Sequence, residues 1–298
     1  MKRRLIFWLV IIAIVWVVVS NFTQVQKLAG TLAKGEWQWL LAAALLQGVY
    51  YLLYAALYKA AFFTVEVASR LRRLVPVLFG AMFFSLVAPG VVVHSALFTG
   101  EAVRNNQPAA RAAAGTLLVV VARITTFTLV LAVGLIYLSF QHELKFYEII
   151  ASLILLLLAV GLSAVLLVGL WNPSALQRLL AWLQGLVRRV MGWLKRPSPL
   201  PAEWADRTSG EFTDAAFSIR THPNRLAATF GVALAAYAVD LLSLAMIFRA
   251  YGERPLFGPL VAGFSMAILF WLVAVTPEGV GVVEGTMALV FISLGFPS

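Results

Sequence analysis

The sequence predicts an all-α, polytopic transmembrane helix bundle, and three observations carry that prediction. Of 298 residues, 62% are hydrophobic and only 12% are charged, with a mean hydropathy of +0.91. Apolar runs near the ~20 residues needed to cross a bilayer recur along the whole chain. Two of the apolar stretches are interrupted by proline and glycine, at Pro89-Gly90 and between Pro277 and Gly281. Such breaks release backbone N–H and C=O groups that hydrocarbon cannot satisfy, so they survive only where protein or a water-filled cavity surrounds them. The expectation is a bundle with two broken, re-entrant hairpins. No polar block is large enough for a soluble domain, so residues 1–298 read as one integral membrane domain.

Charge narrows the class further. A net charge of +10 and a pI near 10.2 would suit nucleic acid. The basic residues, however, cluster beside the apolar runs, as in cytoplasmic loops that contact anionic lipid headgroups. Anionic membrane lipids are the expected contacts, and nucleic acid is not. The chain has no cysteine, which removes disulfides and thiolate metal sites, and its three scattered histidines do not make a zinc site. No metal and no cofactor are expected.

Taken in order, Lys2-Arg3-Arg4 before the apolar run 5–19 has the form of a signal peptide. No small-x-small cleavage site follows, so it reads as an uncleaved first span with a cytoplasmic N-terminus. Residues 37–58 form the second span, with Trp37 and Trp39 at an interfacial belt and Lys59, Arg70, Arg72 and Arg73 beyond its inner end. Residues 76–98 are apolar but broken at Pro89-Gly90. A full crossing there would place Arg104, Arg111 and the basic region 178–225 outside, against the positive-inside rule. A hairpin that dips in and turns back returns every basic cluster to the cytoplasm, and each arm is too short for a complete crossing. Spans at 112–140 and 146–170 follow.

Residues 174–221 read as a cytoplasmic, interfacial helical insert. Within 174–196, leucines and valines recur at helical spacing with Arg178, Arg188, Arg189 and Lys195 between them, the pattern of a helix lying on the membrane surface. Pro197 to Pro201 forms a stiff linker, and a short helix at 203–220 ends at Thr221-His222-Pro223. Asn224 is the predicted N-cap of the next span, 226–248. After a short loop at 251–255, the apolar runs 256–274 and 280–296 flank the second break. They make either a second re-entrant hairpin or two short crossings. In the first case span 37–58 with its hairpin is matched by span 226–248 with its own, in opposite orientation. Interrupted segments at corresponding places in inverted halves are how alternating-access transporters build a midplane site.

Ionisable residues at membrane depth are the candidate substrate contacts, because a charge in lipid costs ~2.5–3.5 kcal/mol even on lenient scales. Arg123 lies mid-span, where its guanidinium can grip a phosphate or carboxylate, or pair internally with Asp240 or Glu284. Asp240 is a counter-ion for Arg123 or a protonatable coupling group. Glu284, one turn beyond Gly281, either interacts with a positive helix start or contacts a headgroup or proton. Glu278 reads as an N-terminal capping charge beside Pro277 and Gly279, and His94 as a hydrogen-bonded or pH-responsive group after the first break. Glu101, Arg104 and Arg111 read as solvated loop charges. Gly134 and Gly161 permit tight helix packing. The chain has no P-loop, no His-Glu-x-x-His helix and no Ser/His/Asp set, so it is not expected to be an enzyme or an ATP-driven pump.

The segment Thr276-Pro-Glu-Gly-Val-Gly-Val-Val-Glu284, followed by Leu294-Gly295-Phe-Pro297, resembles a Pro-x-Gly-x-Gly-x-x-Glu segment and a closing Leu-Gly-x-Pro. These are features of the lysylphosphatidylglycerol synthetase transmembrane region, a flippase-like family of bacterial membrane proteins. The Pro89-Gly90 break and the stretch from Ala110 to Arg123 also resemble that family, so the likeness covers most of the chain. Val91, Val92 and Val93 stand where relatives carry further glycines, and Ala122 and Thr126 where they often carry acids. The resemblance implies a bacterial inner-membrane protein that translocates a phospholipid or lipid-linked substrate. The soluble aminoacyl-transferring domain of the full synthetases is missing, so synthesis is not implied. Rival readings are an ion-coupled small-solute transporter and a non-transporting scaffold that docks a lipid-modifying or glycan-assembling enzyme. Partners in those readings are a second copy of the chain or such an enzyme.

Overall fold

The computed structural model describes residues 30–85, 90–140, 214–215, 217–254 and 256–273, with further positions 157, 178, 182, 185, 210, 285, 287–288 and 291–292. The predicted spans 5–19 and 146–170, the linker and the second break lie outside the described residues, save Leu157, which is helical. Of the predicted surface helix, Arg178, Trp182 and Gly185 are described, and each is helical. Among the described residues there is no strand. Among the described residues the long helices run in the order α1 (Trp37–Thr64), α2 (Leu71–Ser85), α3 (Gly90–Arg104), α4 (Ala109–Phe140), α5 (Pro223–Ala250) and α6 (Phe257–Val273).

α1 and α5 are the longest unbroken apolar elements apart from α4, each 28 residues, or about 42 Å at helical rise. That exceeds a hydrocarbon core of ~30 Å, and residues 109–134 of α4 are also long and apolar enough to cross. Exposure follows the same logic. Leu41, Leu45, Val49 and Leu52 form an exposed stripe on α1, and Leu129, Val133, Ile136 and Phe140 form another on α4. Faces of this size would drive association in water, whereas in a bilayer they meet a solvent of their own polarity. The protein is an integral membrane protein.

α1 and α5 pack against each other along their whole length, and their hydrogen bonds fix the direction. Glu36 N donates to Ala250 O at 2.8 Å, Ser243 Oγ to Ala43 O at 3.0 Å, and the buried hydroxyls of Thr64 and Thr229 meet at 3.1 Å. The start of α1 therefore meets the end of α5, and the pair is antiparallel. Both helices bury small residues, among them Ala55, Ala61, Ala233 and Ala236, and such residues let backbones approach. α4 crosses this pair and packs α6 on its far half. A Cβ on Gly134 would lie 3.2 Å from Ala262 Cα and 3.0 Å from Ser265 Oγ, while that hydroxyl donates to Val130 O at 3.3 Å.

α2 and α3 form a helical hairpin. Ser85 and Gly90 are neighbours at its closed end, where the Ser85 Oγ sits 3.3 Å from the Cβ position of Gly90. At the open end, Arg70 and Arg73 face the same cavity as Glu101 and Asn105. The chain thus leaves and returns on one side of the bundle. α2 starts at Leu71 and runs through Pro76, five residues before the expected start. Leu74, Leu78 and Ala81 are buried on one face and hold the helix together, while the ring of Pro76 lies exposed.

Three helices end alike. Glu66 (φ 59°), Asn106 (φ 58°) and Gly252 (φ 83°) are left-handed, and the next N–H reaches back five residues in each case: Val67 to Phe62, Gln107 to Ala102, Glu253 to Phe248. These bonds satisfy carbonyls that a helix end leaves open. Glu66 carries a Cβ penalty there that Gly252 avoids, and Arg111 ties its carboxylate down at 3.5 Å.

Two expectations need correction. Arg111 is not a solvated loop charge: α4 begins at Ala109, and Arg111 bridges Glu66 and, at 3.2 Å, Asp214. Glu101 and Arg104 likewise belong to the last turn of α3, and Glu101 accepts a hydrogen bond from Asn105 at 2.9 Å. Asn224 is not the N-cap of α5; His222 holds that place with Pro223 first in the helix, because proline's fixed φ and missing N–H suit that position.

The α4–α6 contact gives a test. Gly134→Leu forces a side chain into the Ala262 backbone and should destabilise the protein by about 1–3 kcal/mol. Gly80→Ala points into open space and should leave stability level or raise it by up to about 1 kcal/mol. Thermal unfolding in detergent micelles reads both.

Candidate functional site

Three helices converge on one guanidinium. Arg123 stands about 21 Å along α4 from its start, near the middle of the spanning part of that helix. Its Nη1 donates to the Tyr54 hydroxyl, and its Cζ lies 4.5 Å from the centre of the Tyr54 ring. Tyr237 of α5 hydrogen-bonds to the same guanidinium, and Tyr50 and Tyr58 lie within its electrostatic reach. Tyr50, Tyr54 and Tyr58 recur every fourth residue on α1, so helical geometry puts all three on one face. Phenols are well matched to a buried cation. Each presents an apolar body to the bundle and a hydroxyl to the charge, and the ring face adds a cation–π attraction of about 0.5–2 kcal/mol.

The hairpin reaches this cluster through His94. Its Nδ1 lies 3.1 Å from the Tyr58 hydroxyl, and its ring stacks on Tyr54 at 5.8 Å between centres. One turn on, Phe98 stacks flat on Tyr58 at 3.5 Å. Arg123, Tyr54, Tyr58 and His94 therefore form a continuous polar and aromatic path from α4 through α1 to α3.

Asp240 occupies the next turn of α5 after Tyr237 and faces a second feature. With Gln47, which hydrogen-bonds to it, and Ser243, it lines a cavity of about 370 Å³ between α1, α5 and α6. The other walls are apolar, including Leu244, Ile247 and Phe264. Polar groups on one side and hydrocarbon on the other is the usual make-up of a ligand cavity.

Of the predicted site residues, the structure brings Arg123 and His94 together through Tyr54, and sets Asp240 on the adjoining cavity. The internal ion pair is not formed between Arg123 and Asp240; the ion pairs between described residues are those of Arg111. Gly90 opens α3 at the closed end of the hairpin. Pro89, Pro277, Glu278, Gly279, Gly281 and Glu284 lie outside the described residues. Among the described residues there is no group of His, Asp and Glu that could hold a metal ion. Sequence reasoning missed the tyrosines and Gln47. The signal was present in the spacing of residues 47, 50, 54 and 58, which keeps one polar stripe on an otherwise apolar helix.

Tyr54→Phe keeps the ring and deletes the hydroxyl that Arg123 donates to. A buried donor without its acceptor should cost about 1–3 kcal/mol, and thermal unfolding in micelles should show it. Tyr51→Phe, a neighbour not turned toward Arg123, should cost much less.

The chain matches no curated protein and no solved structure. A family match covers residues 5–298, which is nearly the whole sequence, including both Pro/Gly breaks, Arg123 and Asp240. The family is described as the lysylphosphatidylglycerol synthase TM region, a membrane domain tied to lipid or flippase-like function. By that match, the chain belongs to the lysylphosphatidylglycerol synthase transmembrane-region family.

Proposed function

We propose that the protein translocates a lipid with a polar or charged headgroup across the bacterial inner membrane, without catalysing a covalent step. One observation carries this reading. The Arg123 guanidinium is bonded to neutral phenols and, among the described residues, to no carboxylate. Two phenols engage part of its donor set while its charge is left for an anion. An arginine offers five donors, so two phenols leave room for a bidentate grip on a phosphate. The cavity holding Asp240 and Gln47 lies beside it, and its apolar walls suit the glycerol and upper acyl region of a lipid. Asp240, with Glu284 after the second break, would balance charge as the headgroup passes.

The hairpin supports the same reading. α2 and α3 have 15 residues each, about 22 Å, short of a full crossing, and the chain returns to the side it left. We read it as re-entrant. Basic residues also divide unevenly. Arg70, Arg72, Arg73, Arg104, Arg111, Arg220 and Arg225 gather at the Thr64 end of α1, against Lys34, Arg249 and Arg254 at the other. That favours the arginine-rich end, and with it the N-terminus, in the cytoplasm. The antiparallel pairing of α1 with α5, each followed by shorter helical elements, is what an inverted repeat would require.

The test is lipid translocation in proteoliposomes with headgroup-labelled phospholipids. Arg123→Ala should lower the rate at least about tenfold, and Arg123→Lys should recover only part of it, since lysine keeps the charge but not the planar fork. Unfolding temperatures of both variants separate lost transport from lost fold. Wild-type rates of Arg123→Ala would remove Arg123 from the mechanism, and uptake of a soluble solute with lipid asymmetry unchanged would overturn the reading in favour of a solute transporter.

A further inference from the structure

The open end of the hairpin holds a second cavity, of about 260 Å³, reached about two turns of α1 beyond Tyr54. Its size is near the lower end of small-molecule sites, roughly 300–1,000 Å³, and suits a headgroup rather than a nucleotide or a whole lipid. Its floor is apolar and buried, made by Phe62 and Leu74, each 1% exposed. Arg70, Arg73, Glu101 and Asn105 stand around the polar rim.

The rim is held in shape by bonds that do not use up its charges. Gln107 Oε1 accepts from Ala68 N at 3.0 Å, which fixes the loop before α2 to the turn after α3. Asn105 Nδ2 donates to Glu101 Oε1 at 2.9 Å and to Glu101 O at 2.7 Å, orienting the carboxylate while engaging one of its oxygens. Neither Arg70 nor Arg73 forms an ion pair among the described residues, and Glu101 does not pair with them. Two exposed guanidiniums and one oriented carboxylate around a headgroup-sized hollow ask for a ligand with the opposite arrangement.

We propose that this cavity binds a phosphodiester that carries an amine, with Arg70 and Arg73 on the phosphate and Glu101 on the ammonium. This rests on the lipid-translocation reading and gives it an uptake site on the arginine-rich face, distinct from the Arg123 cluster. The phosphate takes the guanidinium forks, which match its oxygens two at a time. The carboxylate adds selectivity, because a headgroup without an amine leaves Glu101 unpaired beside an anion. The same chemistry occurs in an ethanolamine phospholipid and in soluble glycerophosphoethanolamine.

The experiment is native mass spectrometry of the delipidated full chain with phosphatidylethanolamine and phosphatidylglycerol of matched acyl chains, and with glycerophosphoethanolamine as competitor. Wild type should retain the ethanolamine lipid at least about tenfold more than the glycerol lipid. Glu101→Gln should abolish that preference, and Arg70→Gln with Arg73→Gln should weaken both lipids by at least about tenfold. Displacement of the lipid by the soluble competitor would assign recognition to the headgroup alone, and lack of displacement would assign it to headgroup and chains together; both support the site. Equal retention of the two lipids by wild type, or an unchanged preference in Glu101→Gln with its unfolding temperature preserved, overturns it. Translocation measured on the same variants keeps the two proposals apart. Loss of binding preference with transport intact, or transport lost only on Arg123→Ala, assigns each failure to its own site.

Discussion

Everything in the described bundle is arranged about a positive charge that hydrocarbon will not accept. Arg123 would cost several kcal/mol if it faced lipid, and no backbone adjustment can move it to the surface from mid-span. The three-helix junction of α1, α4 and α5 answers that constraint with tyrosine hydroxyls. Those tyrosines in turn fix which face of α1 turns inward, and so which leucines line the lipid side. The hairpin joins the same network because His94 and Phe98 stack on the ring faces that the tyrosines leave open. One desolvated cation thus sets the rotation of α1 and the docking of α3 together.

Partial satisfaction is the more informative feature. A carboxylate against Arg123 would have given a neutral, closed core. Phenols instead provide hydrogen bonds without compensating charge, and the nearest acid described, Asp240, is set aside on a cavity with Gln47. Separating the cation from the acid keeps both addressable by a third party. At the arginine-rich end the pattern repeats in milder form, where Glu101 is bonded to Asn105 rather than to Arg70 or Arg73. Arg111 is the contrast: doubly paired with Glu66 and Asp214, it braces the turn that ends α1 against a helical residue ahead of α5.

What the sequence disclosed, and what it hid, divides by the range of the interaction. Helices α1 and α5 were legible within a few residues because apolar length alone defines them. The division between α2 and α3 was legible because Pro89-Gly90 is a local backbone instruction, and Arg123 because a charge inside an apolar run has no bland surroundings. The start of α5 was misjudged by preferring a side-chain cap, Asn224, to a proline in the first turn. Arg111 was misread because its partners lie 45 and 103 residues away, a distance no local pattern crosses. The tyrosine cage escaped for a related reason. A tyrosine every fourth residue fits an interfacial belt or an ordinary core as well as a cation's shell, and only the approach of α4 decides among them.

The α1–α5 seam has a mechanical consequence. Its hydrogen bonds at Thr64–Thr229, Ser243–Ala43 and Glu36–Ala250 sit at both ends and within the contact. A one-turn ratchet of about 5.4 Å along the seam would break all of them at once and take the Ser243 hydroxyl from its acceptor, while Thr64 and Thr229 keep their bonds to the Ala60 and Arg225 carbonyls of their own helices. Slippage between these two helices is therefore disfavoured. A motion that spares these bonds carries the two helices as a single strut, with the α2–α3 hairpin and α6 as the parts left to swing.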